Sequence, residues 1–148
     1  MLALDSTAMT MEAHLSAALR ERGQRVTPQR LGVARVMGRA DRHLTAEQVF
    51  DEVGELMPGV SLPTVYATLE LLRDLGLIER VPTGGGTVVY DSRTEDHQHL
   101  VCRRCGAIAD VETQVGTRGL LAAARDAGFT PLATQVVVSG LCADCAAA

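Results

Sequence analysis

Two C-x-x-C pairs constrain this 148-residue chain more than anything else in it. Cys102 and Cys105 form the first, Cys142 and Cys145 the second, and the chain has only these 4 cysteines. Thiolates in two short pairs suit tetrahedral zinc, each knuckle supplying two ligands. The 36 residues between Cys105 and Cys142 exceed zinc-ribbon spacing, so the ion would tie a whole subdomain together. Two redox thiol pairs, or a disulfide staple, are the other readings. Zinc on such a set contributes about 10–16 kcal/mol to folding. A disulfide contributes about 2–4 kcal/mol and needs an oxidising compartment.

Composition bears on that choice. No apolar run approaches the roughly 20 residues of a membrane span, so no membrane association is expected. The first ten residues carry neither positive charge nor a long apolar stretch, so no secretory signal is expected either. A cytoplasmic, reducing location follows, and it favours zinc over disulfides. Net charge is −4, which speaks mildly against nucleic acid. Its distribution speaks the other way. Arg20, Arg22, Arg25, Arg30, Arg35, Arg39 and Arg42 face only Glu21 and Asp41 in that segment, a local balance of 7 − 2 = +5. The guanidinium fork suits phosphate, although a solvated basic face would carry the same charges.

Residues 1–10 are expected to be disordered. Thr10 can cap a helix from Met11 to about Arg22, with Leu15, Ala18 and Leu19 on one face and Gly23 at its end. His14 on that helix reads as a surface residue. Thr27-Pro28 opens a second helix, running to Met37 or Arg39. A loop from Ala40 to Leu44 holds His43. Thr45 and Gln48 form a capping box for a third helix, whose stripe is Val49, Phe50, Val53, Leu56 and Met57. Ser61 caps a fourth, buried through Leu62, Val65, Leu69 and Leu72, with Thr64, Ala67, Thr68 and Arg73 outward and Tyr66 beside them. Leu77–Val81 and Thr87–Tyr90 then read as a hairpin with a glycine-rich tip.

Short-looped helices followed by a hairpin describe a winged helix-turn-helix, with the Ser61 helix in the major groove and the hairpin as wing. A small helical core without a DNA role is the alternative. Asp91 to Asp96 reads as a polar hinge. Beyond it come strands near Gln98–Cys102 and Ala107–Val111, a helix near Thr117–Ala127, and a strand over Ala133–Ser139. The expected class is α+β: a winged helix over 1–90, a hinge over 91–96, and a small α/β domain over 97–148. A unit that small rarely stands without metal or oligomerisation, so zinc and a homodimer are both expected. The DNA-facing candidates are Arg25, Arg30, Ser61, Thr64, Tyr66 and Thr68.

The histidines suggest a second metal site. His97 and His99 are two apart, so on a strand both rings share a face. Asp91 lies six residues before His97, Asp110 five after Cys105, and His43 in the helical half. If they converge, three imidazoles and two carboxylates would suit Fe(II) or Mn(II), tolerating Zn or Ni. By affinity alone zinc would outcompete iron, so availability must help decide occupancy.

From Gly23 to Cys145 the chain resembles the ferric uptake regulator family. The resemblance is carried by Gly23-Gln24-Arg25-Val26-Thr27-Pro28-Gln29-Arg30, His43-Leu44-Thr45-Ala46-Glu47-Gln48-Val49-Phe50, Thr64-Val65-Tyr66-Ala67-Thr68-Leu69, His97-Gln98-His99-Leu100-Val101-Cys102 and the last C-x-x-C. It implies a dimeric, metal-dependent winged-helix regulator, usually a repressor, on a palindromic operator of double-stranded DNA. It implies structural zinc on Cys102, Cys105, Cys142 and Cys145, and a regulatory Fe(II) or Mn(II) on His43, Asp91, His97, His99 and Asp110. Arg25 matches a basic residue that approaches the minor groove, and Tyr66 a tyrosine that contacts base methyls. Ala67 stands where several members have Arg or Asn.

Peroxide-responsive members typically have Asp at both carboxylate positions of that site, and iron-uptake regulators typically have Glu. Asp91 and Asp110 therefore look like the peroxide-sensing branch. A further site found in many iron-uptake members is expected to be absent, because Asp96, Gln98 and Thr134 stand in its region. The implied mechanism is a bistable hinge closed by the metal, with peroxide and bound Fe(II) oxidising His43 or His97. A repressor of iron, manganese or zinc homeostasis, without peroxide chemistry, is the alternative. A thiol-redox switch is a further class. A metalloenzyme would need an open coordination position and a poised base, and no nucleophile motif appears, so no enzymatic activity is expected.

Overall fold

A computed structural model describes residues 9–40 and 43–148. The first eight residues of the segment expected to be disordered, and Asp41 and Arg42 of the loop before His43, lie outside the described residues. The class is α+β, with two compact units. One comprises the chain up to Val81 together with Thr87–Thr94; the other comprises Pro82–Gly86 and Glu95–Ala148. No helix among the described residues is long and apolar enough to cross a membrane.

The first unit is built by capped helices. Thr10 accepts from the Ala13 amide to start α1 (Met11–Glu21), and Gly23, at φ +65°, lets the chain reverse after it. Thr27 accepts from the Arg30 amide, and Pro28 opens α2 (Pro28–Arg39). Thr45 and Gln48 close a reciprocal capping box on α3 (Ala46–Leu56). Ser61 accepts from the Thr64 amide at the start of α4 (Leu62–Asp74). Leu15, Leu19, Val33, Ala34, Met37, Val49, Val53, Val65, Leu69 and Leu72 form one buried cluster among these helices. His14 is exposed, as expected, with Nδ1 against the Thr10 carbonyl at 3.0 Å.

Three expectations fail here for reasons of geometry. Leu56, placed on the buried stripe of α3, is 56% exposed because the helix ends there. Leu44, placed in a loop, forms with Thr45 the two-residue strand β1 (Leu44–Thr45). It pairs antiparallel with β3 (Val88–Asp91), Leu44 opposite Tyr90 and Thr45 opposite Val89. A two-residue strand has no periodicity to read. Thr68, expected to face outward, is 1% exposed. It lies three residues after Val65 and so on the same stripe. Its hydroxyl donates to the Thr64 carbonyl at 2.8 Å, which satisfies it when buried.

The hairpin arms are β2 (Glu79–Pro82) and β3, and the three strands order β1-β3-β2. Tyr90 on β3 is buried, with its hydroxyl donating to Glu70 Oε1 on α4 at 2.9 Å. Burial, then that bond, pushes its pKa up to about 12 from an ordinary 10. A raised pKa means that the neutral phenol is the form the fold favours. This contribution is whole below pH 10 and is lost as pH rises from 10 through about 12. Tyr90→Phe is expected to flatten that alkaline loss in urea titrations and to cost about 0.5–1.5 kcal/mol at neutral pH.

In the second unit, β4 (Gln98–Cys102) is central, antiparallel to β5 (Ile108–Val111) and parallel to β6 (Val137–Gly140). Helix α5 (Arg118–Asp126) lies between β5 and β6 in sequence, and the short α6 (Ala143–Ala147) contains Cys145. Sequence reading finds no α6, since five residues are too few for a periodic signal. Only His99, Val101 and Cys102 are buried among this unit's described residues. Leu120, Phe129 and Leu132 are 62%, 72% and 95% exposed.

Candidate metal centres and DNA-facing helix

The four cysteines are free and lie together: one ligand atom of each falls within 4.8 Å of the others. Local turns bring them there. Gly106 bonds back to the Cys102 carbonyl at 3.0 Å and, at φ +76°, completes the first knuckle. Parallel pairing of β4 with β6 sets Cys102 opposite Gly140, which delivers the second knuckle beside the first. The Arg103 amide donates to the Gly140 carbonyl at 2.8 Å, and Arg104 Nη1 to the Cys145 carbonyl at 2.5 Å, bracing one knuckle to the other.

The Cys105 and Cys142 sulfurs are 3.8 Å apart. That separation is far from a disulfide's bond of about 2.0 Å. It matches the edge of about 3.8 Å in a tetrahedron of bonds near 2.3 Å. The donor set therefore fits zinc. Amide N–H groups at Cys105 and then Cys142 hold the Cys102 thiol down to about 5. The side chain of Cys142, then burial, pushes Cys145 up to about 12. A cation binding here takes the thiolates, Cys102 the readiest of them, and binding releases protons.

Within each unit a histidine and an aspartate come together. In the first unit, β1–β3 pairing places His43, the residue before Leu44, opposite Asp91, the residue after Tyr90. His43 Nε2 lies 3.2 Å from Asp91 Oδ2, and both side chains are mostly buried. The Arg93 amide donates to Asp91 Oδ1 at 2.8 Å, which orients the carboxylate. Asp91 is thus a buried residue closing β3 rather than part of a solvated linker.

In the second unit, β4 and β5 set His99 opposite Asp110. Asp110 Oδ1 lies 3.6 Å from His99 Nε2 and 3.8 Å from His97 Nε2. The two Nε2 atoms are 3.0 Å apart. His97 Nδ1 lies 2.6 Å from the Glu95 carbonyl. A carbonyl only accepts, so Nδ1 carries the hydrogen, and in the neutral ring Nε2 then has the lone pair, the outer-sphere arrangement common for ligating histidines. Imidazoles and carboxylates in this mixture suit Fe(II), Mn(II) or Zn(II).

Of the six DNA-facing candidates, Arg25, Arg30, Ser61 and Thr64 line one cleft of the first unit. Arg30 Nη1 donates to the Arg25 carbonyl at 2.9 Å, and the Ser61 and Thr64 hydroxyls are bonded at 2.9 Å. Tyr66 is outward on α4. Thr68 is inside the core and leaves the set. Sequence reading misses Glu47, which accepts the Tyr66 hydroxyl. It also misses the braces from Arg103 and Arg104. All three are tertiary contacts without a spacing signature.

A model of the ferric uptake regulator family matches residues 21–139. The transcriptional regulator FurA of Mycobacterium tuberculosis is 38% identical over 128 residues, 86% of each chain. A peroxide-responsive repressor, PerR of Staphylococcus saprophyticus, is 28% identical over 128 residues, also 86% of each chain. The ferric uptake regulator structure of Helicobacter pylori superposes with a TM-score of 0.75 over 93% of this chain and 95% of that one; at 20% identity it supports the fold alone.

Proposed function

We propose a specific role for this chain, which belongs to the ferric uptake regulator family and is accordingly a metal-responsive, DNA-binding transcriptional regulator rather than an enzyme. The role is that of a cytoplasmic repressor which holds a palindromic operator when Fe(II) or Mn(II) is bound and releases it in hydrogen peroxide. Zinc on Cys102, Cys105, Cys142 and Cys145 holds the second unit together. His43 and Asp91 from one unit, with His97, His99 and Asp110 from the other, take the regulatory ion. An ion bound by both units favours one relative orientation of them, by as much as its affinity differs between the closed and open states. The exposed Leu120, Phe129 and Leu132 are the apolar surface a second copy would cover, giving the two-fold reader that a palindrome requires.

The observation that carries the peroxide reading is the pair of aspartates, Asp91 against His43 and Asp110 against His99. An Fe(II) ion held by His43, Asp91, His97, His99 and Asp110 would supply redox chemistry toward peroxide that Mn(II) does not readily supply. One hydrogen peroxide and one imidazole, of His43 or His97, would overall give one water and a ring with one oxygen on the carbon between its nitrogens, that carbon's hydrogen passing to a ring nitrogen. The oxidised ring is a poorer ligand, so metal and then DNA are released. A repressor of metal homeostasis would share the metal-dependent binding and differ only in peroxide. In fluorescence anisotropy on a bound promoter fragment, peroxide is expected to release the Fe(II) protein and leave the Mn(II) protein bound. Equal persistence of both would exclude the peroxide reading.

A further inference from the structure

The outward side of α4 is joined to α3 by a contact that no spacing in the chain foretells. Tyr66 is 40% exposed, and its hydroxyl donates to Glu47 Oε1 at 2.8 Å. Glu47 sits in the first turn of α3, where the helix dipole favours a carboxylate. We propose that Glu47 is a specificity residue, fixing the Tyr66 ring for base contact and itself accepting a base amine; this rests on the reading of α4 as the recognition helix.

The chemistry of the pair narrows what it can read. With its hydroxyl engaged, Tyr66 offers DNA an apolar ring, which suits the C5-methyl of thymine. A carboxylate can only accept. In the major groove its partners are the amines of cytosine and adenine, while the O6 of guanine and O4 of thymine repel it. The pair therefore selects a thymine next to a cytosine or adenine. The same negative charge works against phosphate contact, so Glu47 lowers affinity for DNA in general while raising discrimination. Its carboxyl is held below the ordinary carboxylate range, first by the Tyr66 hydroxyl and then by its own backbone amide, so the charge persists at neutral pH.

Selection from a random duplex library with the full-length, Mn(II)-loaded protein tests this. The wild type is expected to recover a motif containing that step. Glu47→Ala is expected to lose the preference for cytosine or adenine roughly tenfold, and to weaken thymine-over-uracil discrimination at the neighbouring base. Glu47→Gln, which keeps the shape of the side chain, is expected to bind unmatched DNA at least as tightly as the wild type at equal salt. An unchanged motif in Glu47→Ala overturns the proposal. So does an equal loss on matched and unmatched DNA, since that marks only a structural role. If the wild type recovers no motif, the recognition-helix reading falls first and takes this inference with it.

Discussion

Cys102→Ser is expected to leave the unit that begins at Glu95 unfolded. That unit buries little of its own: among its described residues only His99, Val101 and Cys102 are inside. A structural zinc contributes about 10–16 kcal/mol in small domains of this kind, as much as the roughly 5–15 kcal/mol by which whole domains are typically stable. The Cys102 sulfur also accepts the Cys142 amide at 3.4 Å, so the substitution disturbs both knuckles. The expected result is loss of tightly held zinc in a colorimetric chelator assay. Circular dichroism should show β signal lost and the α1–α4 helices kept, since their core cluster lies within the first unit. A folded, zinc-free Cys102→Ser protein would mean that the cysteines are not the support of this unit.

The second large effect is expected from His99→Ala. His99 is 1% exposed and sits opposite Asp110 in the β4–β5 ladder. Losing an outer-shell partner of a metal ligand typically costs 10–100-fold in affinity. Losing the ligand itself is expected to cost at least about 100-fold. Titration calorimetry with Mn(II) measures that loss, and operator affinity should cease to rise with added Mn(II). Zinc on the four cysteines should stay, which separates this outcome from general unfolding. Undiminished metal-dependent DNA binding in His99→Ala would contradict a hinge closed through this residue.

Much of the helical unit is legible in the chain because its signals are local. Thr10, Thr27, Thr45 and Ser61 each announce a helix start, and all four accept the amide that a cap should accept. Strand β4 is legible from His97-x-His99 alternation running into Cys102. What escapes sequence reading depends on pairing across long separations. The register that sets Leu44 against Tyr90 brings His43 to Asp91, and two residues of strand leave no pattern. Asp91 looks like hinge because it is polar, yet it is buried, with Oδ1 accepting the Arg93 amide and Oδ2 3.2 Å from His43 Nε2. Thr68 looks outward because it is a threonine, although its position on α4 is that of the core. The cysteine set is readable from spacing alone. The five-residue His/Asp set needs the family resemblance, since H-x-H and lone aspartates recur by chance.

If peroxide acts as proposed, it oxidises a histidine ligand of the bound ion. Peptide mass spectrometry tests this most directly, on protein loaded with Fe(II) and exposed to stoichiometric hydrogen peroxide, with a matched Mn(II) sample. The expected result is one added oxygen on a peptide containing His43 or His97, in the iron sample only, together with loss of DNA binding. Unmodified histidines with DNA binding intact would contradict the claim and leave a metal-homeostasis repressor.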